Sequence, residues 1–322
     1  MRHGRSASLK SKFRTVEAAL RSNGGYPAQP VRIVEPFGRG GGPDVMAKPV
    51  ADKLSALWGQ VVTVENCPGE GSTAAPKLVA ASPPDGYTLL INTCAHAYSA
   101  AVNRNLPYDP LEDFAAVAAL TSQAYVLVAP GFSTLDELIT QARARPGELT
   151  FASTGAGTGT HLASESLNVL VGTSTTHIPP DPGDDIAATI AKVAQGATDY
   201  AVSPITIAAP HIRRGELAAL GVTASRRSPL LPDVPTIAEA GVADYDFPIW
   251  YGLWAPAATP AAIADKLAID VTTVLADPDL SNWFATHGAE PLTMTRTEFA
   301  RFVRNESERA AQIIKDRGIA LG

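Results

Sequence analysis

Val31-Arg32-Ile33-Val34 runs into Phe37-Gly38-Arg39-Gly40-Gly41-Gly42-Pro43-Asp44, after which apolar residues recur at Val45, Met46, Val50, Leu54 and Leu57 as far as Trp58. A β-branched run, a glycine turn and a helix-spaced run make one strand–turn–helix unit. The same grammar returns in the other half of the chain. Leu149-Thr150-Phe151-Ala152 leads into Ser153-Thr154-Gly155-Ala156-Gly157-Thr158-Gly159, and His161 to Leu170 continues as a helix. Such turns aim backbone N–H groups at one spot, where the dipole of the following helix favours an anion. If the halves fold as two facing lobes, the two turns hold a small anion from both sides with no catalytic residue. Neither turn is a nucleotide motif. Counting from Gly38 the third glycine place falls on Pro43, from Gly155 it falls on Thr160, and no Gly-Lys-Ser/Thr follows.

Working outward, strands are expected at Val61–Val64, Tyr87–Asn92, Tyr125–Ala129, Tyr200–Val202, Leu217–Thr223 and Tyr251–Ala255. Helices are expected at Ala74–Ala81, Thr134–Ala144, Ile186–Ala194, Ile205–Arg213, Ala261–Ala276, Asp279–His287 and Thr297–Arg317. Alternating β and α runs imply α/β lobes, each a mostly parallel sheet flanked by helices, with ligands outside the carboxyl ends of the strands. Both glycine turns fall there. The Pro-rich stretch Ser228 to Pro235 reads as a surface crossing. The expected division is a basic polar arm over 1–25, a first lobe from 26–130 and 224–322, and a second lobe from 131–223.

The chain has 322 residues, 45% of them hydrophobic, enough for two modest cores. Charged residues make up 18% and the net charge is -6, so no basic field attracts nucleic acid or an anionic membrane. Two cysteines, Cys67 and Cys94, without metal-ligand spacing read as unpaired packed thiols, and no metal or cofactor is expected. No segment approaches the roughly 20 apolar residues of a membrane span, so the chain reads as soluble. Met1 to Gly25 lacks the apolar core of a secretory signal.

The sequence resembles the solute receptors of tripartite tricarboxylate transporters, the Bug-type periplasmic binding proteins. The resemblance runs from about Tyr26 to Ile319. It is carried by Pro36-Phe37 with Gly40-Gly41 and Asp44, Gly59-Gln60 with Val64-Glu65-Asn66, Asp85-Gly86-Tyr87-Thr88, and Leu106-Pro107-Tyr108-Asp109-Pro110. Ala152-Ser153-Thr154-Gly155 with His161-Leu162, Leu231-Pro232-Asp233-Val234-Pro235-Thr236, and Trp250 with Gly252-Leu253 complete it. It implies a two-lobed Venus-flytrap monomer that captures a small organic carboxylate in a cleft and delivers it to a membrane permease, outside the cytoplasm. Departures occur at the second-lobe loop. Ile178-Pro179-Pro180-Asp181-Pro182-Gly183-Asp184-Asp185 is acidic where the family has a basic, aromatic loop. Val202-Ser203-Pro204 stands in place of Phe-Asp-Asn, and Glu35 in place of an apolar residue.

The resemblance and the turns together nominate Phe37, Arg39, Gly40, Gly41, Asp44, Thr93, Ser153, Thr154, Gly155, Gly157, Thr158, His161, Ser203 and Trp250 as ligand-binding. Several have a second reading. Asp44 fits a helix cap that satisfies orphan N–H groups as well as it fits ligand contact. His161 reads either as a neutral imidazole packed on the strand and bonded to backbone, or as a cleft residue. Trp250 reads as core or as cleft lining. Arg39 suits a bidentate contact with a carboxylate. The acidic residues Asp181, Asp184 and Asp185 suggest a disfavour for highly charged ligands. Two rivals stand beside transport: a cytoplasmic carboxylate sensor or sequestering protein, and a hydrolase using Cys94 and His96, which lie too close in sequence to face each other on one strand.

Overall fold

The computed structural model describes residues 25–69, 72–103, 105–181 and 184–319. Apart from Gly25, the basic arm lies outside them.

Strand β1 (Val31–Glu35) pairs in parallel with β2 (Val62–Asn66) and β3 (Thr88–Thr93). Helix α1 (Gly42–Trp58) begins with Pro43 in its first turn, where a missing N–H costs nothing, and Asp44 complements its dipole. It ends at Gly59, whose φ of 63° lets the chain turn while its N–H caps the Ser55 carbonyl. Met46, Ala47, Val50, Ala51 and Leu54 form its buried face. Leu57, expected in that stripe, remains 49% exposed. Helix α2 (Ala74–Ala80) follows, and then two elements with no clear periodicity in sequence: α3 (Ala95–Val102) and β4 (Phe114–Gln123).

The chain then enters a second sheet. It holds β5 (Tyr125–Ala129), β6 (Thr150–Ala152), β7 (Thr176–Ile178), β8 (Tyr200–Pro204) and β9 (Ala218–Val222) in the order β7-β6-β8-β5-β9. Helices α4 (Leu135–Ala144), α5 (Gly159–Val171), α6 (Ile186–Ala194) and α7 (Ile205–Arg213) flank it. The chain returns through β10 (Ile249–Pro256), α8 (Ala261–Leu275), α9 (Pro278–Thr286), β11 (Ala289–Pro291) and α10 (Arg296–Arg317), giving a first sheet of order β11-β4-β10-β3-β1-β2.

This is an α/β architecture of two lobes, but the sheets are mixed rather than mostly parallel. The strands that carry the chain between sheets run against their neighbours: β4 and β3 are antiparallel to β10, and β5 is antiparallel to β8 and β9. The first crossing falls at Ala124, because Tyr125–Ala129 is hydrogen-bonded inside the second sheet rather than ending the first lobe. The second crossing also comes later than residue 224. Val222 N donates to the Pro235 carbonyl, Ile237 N to that of Val222, and Phe247 N to that of Thr223, so the Pro-rich stretch stays on the edge of the second sheet.

One apolar cluster runs through both sheets. Tyr98, Trp250, Trp254 and Phe299 of the first side are contiguous with Leu127, Phe151, Leu162 and Tyr200 of the second. Helices α3, α5 and α10 form the layer that bridges them. Separate clusters fill the other faces, around Val50, Leu54 and Leu267 in the first lobe and around Val126, Ile190 and Ala208 in the second. Among the described residues no helix is long and apolar enough to cross a membrane.

The second glycine turn meets this bridging layer. A Cβ on Gly157 would lie 2.1 Å from a Val102 methyl at the end of α3, and φ at Gly157 is +74°. Gly157→Ala is therefore expected to cost about 2–3 kcal/mol through overpacking and left-handed strain. Adding Val102→Ala removes the two methyls but leaves the Cβ of residue 102 at 2.8 Å and the left-handed strain, so urea denaturation should recover about half of the loss; full recovery would show that the backbone at 157 is unstrained.

Candidate functional site

The first turn is built on a buried carboxylate pair. Glu35, at 0% exposure on the last position of β1, accepts from Phe37 N (2.8 Å) and from the Asn66 amide of β2. The same Asn66 amide donates to Asp44 Oδ1 (3.1 Å), and Asp44 Oδ2 accepts from Gly40 N (2.9 Å) and Lys48 Nζ (2.6 Å). Burial pushes the Glu35 carboxyl above its usual range, against the lowering effect of those bonds. Burial pushes Asp44 up as well, but the bonds from Gly40, Lys48 and Asn66 outweigh it and hold that carboxyl below its usual range. Asp44 thus folds back to hold the turn through Gly40, ahead of the helix, while Gly41 occupies the N-cap position without a side-chain cap. Gly41 N donates to the Gly38 carbonyl (3.0 Å). Phe37 is half-buried, and Arg39 stands exposed at the tip of the turn.

A row of side chains closes the second turn in the same way. Gly155 N donates to Ser153 Oγ (3.0 Å), Thr154 N to Thr160 Oγ1 (3.1 Å), and Gly157 N to His161 Nδ1 (2.8 Å). Thr158 Oγ1 donates to the Gly155 carbonyl (2.8 Å). Accepting at Nδ1 makes His161 a neutral imidazole with its proton on Nε2. That nitrogen lies 3.9 Å from Glu165 Oε1, an acid one helical turn on. Glu165 in turn accepts from Arg317 at the end of α10 (2.7 Å) and from Asn168 (3.0 Å). His177 stacks on His161 with ring centroids 4.2 Å apart, and its Nε2 is 2.7 Å from Ser153 Oγ.

The amides of Gly40, Gly155, Thr154 and Gly157, expected to be free for an anion, are occupied within their own turns because Asp44, Ser153, Thr160 and His161 fold back onto them. Directly after each turn a helix begins, α1 or α5, whose leading N–H groups have no intrahelical partner; Pro43 contributes none. Both starts lie at the carboxyl ends of parallel strands, β1 and β6.

The pattern of the tripartite tricarboxylate transporter family receptor matches residues 46–319. BugT of Bordetella pertussis is 33% identical over 302 residues, which cover 92% of this chain and 91% of BugT. The chain belongs to the tripartite tricarboxylate transporter receptor family. Two solved structures share the fold over nearly its whole length. R. palustris Rpa4515, solved with adipate, is 32% identical with a TM-score of 0.80, covering 92% of this chain and all of that one (100%). MatC from Rhodopseudomonas palustris, solved with malate, is 30% identical with a TM-score of 0.75, covering 90% and 100%.

Other nominated residues of this family member are placed differently from one another. Thr93 is 7% exposed at the end of β3, its Oγ1 accepting from Ala95 N (3.2 Å). Ser203 is fully buried on β8 and donates to the Pro204 carbonyl (3.1 Å). Trp250 is 0% exposed, its Nε1 donates to Glu306 (3.2 Å), and its ring packs on Phe299 and Phe302. Strand alternation sends the next residue, Tyr251, to the opposite face. There Tyr251 OH donates to Gln123 (3.0 Å) and approaches so near the start of α1 that a Cβ on Gly42 would lie 2.5 Å from it. Gln123 and Tyr251 line a small cavity with Pro204, Ile205 and Thr206 of the second lobe. The sequence reading passed over this pair and also His177 and Glu165. Period-two alternation pointed to Tyr251, and the i,i+4 spacing from His161 pointed to Glu165.

The acidic loop is partly neutralised by one lysine. Lys192 of α6 pairs with both Asp181 (2.5 Å) and Asp184 (2.6 Å), and Asp185 caps α6 by accepting from Ala188 N (2.8 Å). Cys67 and Cys94 are free thiols. Burial pushes the Cys94 thiol up to about 12, far from a thiolate nucleophile. His96 turns into a cage of Tyr108, Phe114 and Trp254.

Burial lowers three histidines from 6.5: His96 to about 3, and His161 and His177 to about 4. Below pH 6.5 the unfolded chain binds protons that the folded one refuses, so stability is full above 6.5 and falls as the pH drops toward 4. His161 alone is expected to remove on the order of 2 kcal/mol by pH 5. Urea midpoints at pH 7 and pH 5 check this, with His161→Gln showing the weaker dependence; equal midpoints for the unsubstituted protein would contradict buried neutral imidazoles.

Proposed function

We propose that this chain is an extracytoplasmic solute receptor that captures a small organic dicarboxylate between its lobes and delivers it to a tripartite tricarboxylate-type permease, without chemistry of its own. The observation that carries this reading is that two relatives at 30% identity or more, alike in fold over at least 90% of this chain, were solved with adipate and malate, both dicarboxylates. The geometry supports it through the pair of glycine-turn helix starts. A dicarboxylate has two anionic ends, and each helix N-terminus favours one negative charge.

In this reading the buried side chains do not touch the ligand. Asp44, Ser153 and His161 hold the turns rigid, so that the leading N–H groups of α1 and α5 are aimed before the ligand arrives, which lowers the ordering cost of binding. Thr154, exposed, and Thr158, half-buried, add hydroxyls on the second side. Arg39 is placed to pair with a carboxylate from the first side. Gln123 and Tyr251 close the floor of the cleft, together with Pro204, Ile205 and Thr206. Closure of the lobes would exclude water and strengthen each hydrogen bond.

The purified chain should be stabilised by adipate or malate but not by the corresponding diamides. Ligand at about 100 times its dissociation constant raises stability by roughly 2.7 kcal/mol, a visible rise in melting midpoint. Gly155→Val forces a branched side chain onto φ +125°, and Gly41→Val drives a Cβ to 3.0 Å from the Gly38 carbonyl oxygen. Each is expected to weaken the acid at least tenfold, about 1.4 kcal/mol. Unchanged affinity in both variants would remove the turns from the site.

A further inference from the structure

A cavity of about 290 Å³ lies where the chain passes between the sheets, walled by Ser122 to Ala124 at the first crossing, by Pro248 and Trp250 at the second, and by 224–229 and Asp246 at the edge of the second sheet. None of residues 37–44 or 153–159 lines it. Its volume is at the lower end of the range for small-molecule sites.

Its lining is apolar on one side and charged at the rim. Leu292, Met294 and Phe302 are only half-buried and line the cavity, so apolar surface is left in contact with water. At the rim the Arg226 side chain is 81% exposed and reaches Glu290 only at 3.8 Å, a surface pair of little strength. Arg227, by contrast, is engaged by Glu239 at 2.7 Å and by the Pro232 carbonyl at 3.3 Å. Asp246 and Glu290 line the same space and repel further negative charge.

We propose that this cavity is a second ligand site, for a small aromatic or branched monocarboxylate. Its apolar body lies on Leu292, Met294 and Phe302, and its carboxylate takes the Arg226 guanidinium in place of Glu290. One available cation beside two carboxylates selects a single negative charge, which separates this site from a dicarboxylate cleft. Because both crossings wall the cavity, a change of lobe angle reshapes it, and its occupant shifts the affinity of the cleft by the same factor as the cleft ligand shifts its own. That coupling rests on the receptor reading; the site does not.

Calorimetric titration of the full chain with benzoate, benzamide and phthalate tests it. Benzoate is expected to bind one to one and more tightly than either of the others. Arg226→Gln, at an exposed position, should weaken benzoate about tenfold and abolish its advantage over benzamide. Met294→Trp, which fills the cavity, should remove binding, and Gly155→Val should leave it unchanged. No benzoate binding to the unsubstituted chain, or binding indifferent to Arg226→Gln, overturns the proposal. Loss of benzoate in Gly155→Val would place it in the cleft and overturn the second site while leaving the receptor reading intact. Adipate that fails to bind a chain that still takes benzoate at the hinge would do the reverse.

Discussion

The two lobes share one apolar layer, and the position of the candidate site depends on how closely the second lobe can approach it. Helix α3 leaves the carboxyl end of β3 and lies across the boundary, and the second glycine turn rests on it. Gly157 meets Val102, and a Cβ on Gly159 would come within 2.7 Å of Tyr125 OH and 3.4 Å of Cys94 Sγ. Only residues without a side chain permit that contact. With the turn held there, the start of α5 is placed relative to β3 and, through the first sheet, to the start of α1. The cluster of Tyr98, Trp254, Phe151 and Tyr200 extends this contact into a core common to both sheets.

The glycine turns gain their rigidity from buried polar side chains. In the first lobe Glu35, Asn66, Asp44 and Lys48 form one connected set; in the second, Ser153, His177, His161, Glu165 and Arg317 form another. Leaving Glu35, Asp44, Ser153, His161 or Glu165 buried and unpaired would cost about 1–3 kcal/mol, so each set holds its turn in one conformation. The second set also reaches the end of α10 through Arg317, tying the last helix to the lobe it does not belong to by sheet. Tyr245 OH, donating to the Ala163 carbonyl at 2.9 Å, adds a second such tie. Departures from the family pattern find a structural place here. Glu35 is absorbed into the first frame, and the acidic loop is drawn onto Lys192.

Local grammar carried far in this chain. The two strand–turn–helix units, the αL stop at Gly59 and the helices Ile186–Ala194 and Ile205–Arg213 were legible because they rest on short-range spacing and backbone sterics. Helix α3 and strands β4, β7 and β11 were not. His96 and Tyr98 of α3 are buried against partners far away in sequence, β4 is lined by small alanines, and β7 and β11 have three residues each.

The sequence by itself determined the α/β class, the two glycine turns, the absence of a nucleotide fingerprint, and a family resemblance that the comparisons establish as membership. All of these are written in residues close together or in ordered matches along the chain. Tertiary structure alone decided which groups the turn amides satisfy, that Trp250 faces the shared core while Tyr251 faces the start of α1, and that the crossings fall at Ala124 and beyond Phe247. Each of those depends on which distant side chain arrives to accept a hydrogen bond or fill a face. Spacing along a chain does not encode that arrival; packing in three dimensions does.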